Sequence, residues 1–119
     1  MSILWITNSL QTSTKGVEFM QIEREQLHAQ LKVLGMRYTW EIIANIKNGS
    51  KYMKQIANET EKPYTTVQKR ISDMEQAGIV RIYNDVDRKT GKAIKKVRLS
   101  RFRINVDPYF IEKMVSDND

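Results

Sequence analysis

Residues 54–81 read KQIANETEKPYTTVQKRISDMEQAGIVR. Met53, Ile56 and Ala57 stand at helical spacing, so a short helix is expected over about Lys51–Glu59. Glu59–Lys62 is a polar turn of about four residues. Pro63 suits the first turn of a helix, where its missing N–H has no partner to lose. Val67, Ile71 and Met74 follow at i, i+4 and i+7, and Gly78 ends the run, which predicts a second helix over residues 63–77. A short helix, a tight turn and a Pro-started helix make a helix-turn-helix.

After Gly78 the apolar period changes from 3.6 to 2. Ile79–Asn84 and Ala93–Ser100 read as strands, joined by the polar DVDRKTGK of Asp85–Lys92 with Gly91 as turn residue. Phe102, Ile104 and Val106 alternate too, so a third short extended segment is expected. Asp107-Pro108 pairs an N-cap with a first-turn proline and predicts a short helix carrying Phe110, Ile111 and Met114, with Ser116–Asp119 fraying.

Upstream, Ile42, Ile43 and Ile46 predict a helix over Arg37–Lys47, stopped by Asn48-Gly49, with Ser50 as N-cap of the next. Leu27, Leu31 and Leu34 lie at i, i+4 and i+7, with Met20 one heptad earlier, so a helix is expected from Val17 to Leu34, ended by Gly35. TNSLQTSTKG, residues 7–16, has no period, and residues 1–16 read as a flexible tail. Met20 offers an alternative start that would make the first 19 residues an extension.

Charge is concentrated where the helix-turn-helix and hairpin lie. The chain of 119 residues carries 20 Lys+Arg and 14 Asp+Glu, net +6. Residues 62–103 hold 12 of those basic groups and only 4 of the acidic ones. A polyanion is the partner such a segment suits. If Val67, Ile71 and Met74 face the core, Thr65, Lys69, Ser72 and Gln76 point the other way, flanked by Thr66 and Gln68. These are donors and acceptors of a size that reads base edges in a major groove. Asp73 and Glu75 lie near the far end of the helix, away from its N-terminal turns. The same polar residues would equally form plain solvated surface; the basic hairpin that follows tilts the balance. Arg88, Lys89 and Lys92 sit at its tip, with Lys95, Lys96 and Arg98 on the return strand, placed for backbone or minor-groove contact over residues 84–95. Lysines on such a strand also protect a sheet edge, and Lys96 and Arg98 fit either role.

The stretch Lys54–Arg81, together with GKAIKKVRLSRFRI (Gly91–Ile104), resembles the winged helix-turn-helix of prokaryotic regulators of the ArsR and MarR type, archaeal members above all. The frame IA…TTV…I…ME.AGIV carries the likeness, which spans about Leu34–Ile104. The resemblance implies a sequence-specific duplex-DNA binder acting as a homodimer. It implies Tyr64, Thr65, Thr66, Gln68 and Lys69 as recognition-helix contacts and Arg88 and Lys89 as wing contacts. Metal sensors of this class use cysteine, and this chain has none, so the sensing role does not carry over.

Other chemistries lack their residues. There is no cysteine framework, and His28 is the one histidine. Glu23 and Glu25 read as a solvated helix face, and the five glycines are too scattered for a phosphate loop. Single-strand binding needs aromatics interleaved with basic groups; along the chain only Tyr64 and Tyr83 come close. Trp5, Trp40 and Tyr38 read as packing residues. The apolar run Ile3–Ile6 is too short for a leader, and nothing approaches the ~20 apolar residues of a membrane span.

The expectation is therefore an α+β winged helix-turn-helix over residues 17–115 with additional N- and C-terminal helices, cytoplasmic, not an enzyme, without cofactor or metal. Its expected partners are double-stranded DNA and a second copy, with no membrane and an effector the sequence does not name. The helices over 17–34 and 107–115 carry more apolar surface than a minimal winged helix needs, so Met20, Leu27, Leu31, Phe110 and Met114 are expected at a dimer interface. The other reading is a winged-helix module for protein interaction in a larger transcription or replication assembly, which would need an exposed apolar patch on the second helix of the motif.

Overall fold

The computed structural model describes residues 23–117. Met20 and the 1–16 tail lie outside them, as do Asn118 and Asp119. By their contacts, Ala29–Arg103 form one compact unit, and residues 23–28 and 104–117 belong to a second. In order, the elements are α1 (23–34), α2 (Thr39–Ile46), β1 (Lys51–Tyr52), α3 (Met53–Thr60), α4 (Tyr64–Gln76), β2 (Val80–Val86), β3 (Ala93–Leu99) and α5 (Pro108–Asp117). No helix among the described residues is long and apolar enough to cross a membrane.

The core of the 29–103 unit is built from the expected stripes. Ile42 and Ile46 of α2, Met53, Ile56 and Ala57 of α3, and Val67, Ile71 and Met74 of α4 are all buried. They meet Ile79, Val80 and Val97 of the sheet. From α1 the buried side chain is Val33, with Ala29 and Leu34 packed against the cluster, while Leu31 is 44% exposed. The leucine spacing and the Ala29–Val33 spacing are both helical, and the core takes the second. Thr39 fixes that choice, since its buried hydroxyl donates to the Val33 carbonyl at 2.7 Å.

The turns follow from backbone chemistry. Glu61 closes α3 in the left-handed region at φ 56, with its N–H on the Asn58 carbonyl, and the Lys62 N–H reaches the Ala57 carbonyl. Pro63 stands one position before the expected one: it is the N-cap of α4, at φ −58 and ψ 142, and its carbonyl accepts the Val67 N–H at 3.1 Å. Gly78, at φ 78, ends α4 in a conformation that a β-carbon would disfavour. Its neighbour Ile79 donates its N–H to the Met74 carbonyl at 2.9 Å.

Two expectations need correction. Ser50 does not cap α3; Lys51 and Tyr52 are extended, the helix begins at Met53, and Tyr52 occupies the cap position. Those two residues supply the third strand of an antiparallel sheet of order β1-β3-β2, pairing Lys51 with Val97 and Tyr52 with Lys96. The third short extended segment expected around Phe102, Ile104 and Val106 joins no strand of the sheet. Ser116 and Asp117 close α5, and the Ser116 hydroxyl donates to the Glu112 carbonyl at 3.0 Å. The Asp107 cap is present: its carboxylate accepts the Phe110 N–H at 2.8 Å.

Candidate nucleic-acid interface

Once α4 buries Val67, Ile71 and Met74, its remaining face is set by geometry. Thr65, Gln68, Lys69 and Ser72 are exposed and together line an open groove of about 540 Å³. The opposite wall is the wing: Ile82, Tyr83 and Asn84 of β2, and Lys95 of β3. Asn84 pairs with Lys95 two residues along from the Ile82–Val97 pair, so Ile82, Asn84, Lys95 and Val97 leave the sheet on one face, while Tyr83 between them alternates to the other. Asp73 and Glu75 also border the groove, at the C-terminal half of α4. Tyr64 is exposed and Thr66 half-buried; neither borders that groove.

The hairpin tip is held by its own acid. The Asp87 carboxylate accepts the Lys89 N–H at 2.8 Å, its carbonyl accepts the Gly91 N–H at 2.7 Å, and its N–H donates to the Lys92 carbonyl at 2.9 Å. Gly91 takes φ 71, and Thr90 Oγ1 accepts the Lys92 N–H at 3.2 Å. Arg88, Lys89, Lys92 and Lys95 are all exposed. They do not form one patch. Lys95 faces α4, whereas Arg88 and Lys89 border a second open groove of about 820 Å³ whose far wall is Lys54, Gln55 and Asn58 of α3. The sequence reading missed Asn84 as a groove residue and Asp87 as the organiser of the tip. Period-2 alternation carries the first signal, but only once the strand register is known.

Glu59 joins three elements behind the helix-turn-helix. It accepts Lys51 Nζ at 2.6 Å, Gln55 Nε2 at 2.9 Å and Asn45 Nδ2 at 3.0 Å. These donors, the lysine foremost, lower its pKa from 4.5 to about 2. On the far side of α4, Arg70 donates to the Arg37 carbonyl and to the Asp73 carboxylate, each at 2.9 Å, and so clamps the α1–α2 connection to the helix. Among the described residues, no group of three or more His, Cys, Asp or Glu side chains could hold a metal ion.

A short helix, a left-handed turn and a second helix lead directly into a hairpin whose inner face looks back at that second helix. The fold is a winged helix-turn-helix. The chain has similarities among solved structures. A possible transcriptional regulator from Methanosarcina mazei Go1 has a TM-score of 0.50 at 6% identity, covering 75% of this chain and 71% of that chain. The YusO protein from Bacillus subtilis scores 0.46 at 20% identity over 92% and 73%. AbsC, a MarR family transcriptional regulator from Streptomyces coelicolor, scores 0.46 at 18% identity over 96% and 74%. No family model matches the sequence, and no curated protein matches it. The winged helix-turn-helix expected from Lys54–Arg81 is present in the chain's own element order, with the hairpin directly after α4.

Proposed function

We propose that the protein is a transcription regulator that binds duplex DNA as a homodimer, with α4 in the major groove and the wing on the flanking backbone or minor groove. The observation that carries this reading is the outward face of α4. Thr65, Gln68, Lys69 and Ser72 are exposed together, bear no acid, and stand beside Lys95 and Asn84. Such side chains can donate to and accept from base edges, while Arg88, Lys89 and Lys92 neutralise phosphates. A protein-interaction module would present apolar surface there. The one large apolar side chain exposed on α4 is Tyr64, at 43%.

The dimer surface belongs to the same proposal. Leu27, Phe110 and Met114 are half-buried and Leu31 is exposed. On α5, Ile111 and Val115 are each 52% exposed one turn apart, and they extend the expected set. A second copy is the economical cover for such a stripe.

Base contacts specify and phosphate contacts position, so two variants separate them. Gln68→Ala should cost about 1–3 kcal/mol on the best duplex selected from a random pool and much less on random duplex. Arg88→Ala with Lys89→Ala should weaken all duplexes alike. If Gln68→Ala leaves sequence preference unchanged and the wing variant alters it, the wing is the reader. If neither changes duplex binding, the winged-helix surface serves something other than DNA.

A further inference from the structure

The sheet has a second face, opposite the one that carries Ile82, Asn84 and Lys95, and the duplex contacts proposed for α4 and for the tip residues Arg88, Lys89 and Lys92 do not include it. Register places its residues in two cross-strand rows. One row is Arg81 opposite Arg98. The next is Tyr83 opposite Lys96, continued by Tyr52 of β1 on the other side of Lys96. With strands about 4.8 Å apart, the two tyrosines stand roughly 10 Å from one another across the sheet, with a lysine between them. Tyr83 is 41% and Tyr52 36% exposed, and Arg81 and Arg98 are exposed too. Lys96 Nζ lies 5.2 Å from the Tyr52 ring centroid.

This arrangement is unfavourable for a face that only meets water. Like charges directly opposite on neighbouring strands repel, and no carboxylate offsets the two arginines. The ion pairs among the described residues are Lys51–Glu59 and Arg70–Asp73, and neither reaches this face. The one acid on it, Asp85, is engaged locally by the Val86 N–H at 2.8 Å and the Tyr52 hydroxyl at 3.5 Å. Paired guanidiniums suit a phosphate, which they can bracket with forked donors. Exposed rings flanking a cation suit an unpaired base, which offers a flat π-face to stack on.

We propose that this outer sheet face, Arg81, Arg98, Lys96, Tyr83 and Tyr52, binds single-stranded nucleic acid, with backbone phosphates on the arginines and bases stacked on the tyrosines. A duplex presents no free base faces, so the rings select the single strand. The site meets the groove along α4 at Tyr83 and the groove of Arg88 and Lys89 at Tyr52 and Lys96, and it stands whether or not α4 reads duplex DNA.

The test is fluorescence anisotropy of a labelled oligo(dT) 20-mer with the full chain at low salt, circular dichroism confirming that each variant is folded. The expected result is saturable binding that Tyr52→Ala with Tyr83→Ala weakens at least about fivefold. Tyr83→Phe, which keeps the ring, should bind as the unsubstituted chain does. Arg81→Gln with Arg98→Gln, which touches only exposed side chains, should weaken binding and shallow its salt dependence. Gln68→Ala with Lys69→Ala should leave oligo(dT) affinity unchanged while reducing duplex recognition. The proposal is overturned if oligo(dT) does not bind, if the sheet variants bind as the unsubstituted chain does, or if the α4 variant loses oligo(dT) as severely as they do. It is equally overturned if polyglutamate of matched length displaces the oligonucleotide at equal charge concentration, which would make the face a docking site for acidic protein.

Discussion

Glu59 shows how one side chain can tie a helix-turn-helix to the helix before it and to the short strand β1. Its three donors come from α2, β1 and α3, and its carboxyl is held at a pKa of about 2, below the ordinary 4.5. A depressed carboxyl stabilises the fold fully above its unfolded pKa, and that contribution drains as pH falls through the folded value. Melting temperature should therefore fall more steeply between about pH 5 and pH 2 in the unsubstituted chain than in Glu59→Gln. Parallel curves would show that the network adds nothing. Asp87 makes a second prediction at this scale. Because its carboxylate holds the Lys89 N–H, Asp87→Ala should loosen the tip and weaken duplex binding in an electrophoretic shift, although it removes a negative charge. Stronger binding would mean that the charge matters and the geometry does not. Gln68, Lys69 and Ser72 were legible in the sequence, since helical spacing from Val67 and Ile71 fixes which way they point. Asn84 and Asp87 were not, because their positions depend on strand register and on a turn that closes on its own carboxylate.

At the scale of elements, apolar spacing was enough wherever an element was long. α4 has three buried residues at i, i+4 and i+7, and its two faces follow. Ile71→Ala should accordingly cost about 2–5 kcal/mol, and Ser72→Ala no more than about 0.5 kcal/mol, read from urea midpoints. Equal losses would contradict the assignment of faces. β1 escaped notice for a physical reason. Two residues cannot display a period, and their strand character comes from β3 beside them. On α1 the sequence carried two helical stripes, and only tertiary contact shows that the core takes Ala29 and Val33 over Leu31.

At the scale of the whole molecule, the net charge is +6, and residues 62–103 alone carry 12 basic groups against 4 acidic ones, a distribution that favours association with a polyanion. A dimer presenting two sets of Arg88, Lys89, Lys92 and Lys95 neutralises on the order of 6–8 phosphates, so the log–log salt slope of duplex binding should be about −5 to −7. A flat slope would point to a partner other than nucleic acid. The charge map was fully legible in the sequence; the exposed apolar pair on α5 was not, because Ile111 and Val115 look like any other apolar helix positions until their exposure is known. The central claim is that two copies place two α4 helices in successive major grooves of one duplex. It is tested most directly by a hydroxyl-radical footprint of the full chain on its tightest-binding genomic fragment. The account predicts two protected half-sites related by a two-fold axis, their centres about 34 Å apart along one face of the duplex. A single protected patch without symmetry, or uniform protection with no preferred fragment, would contradict it.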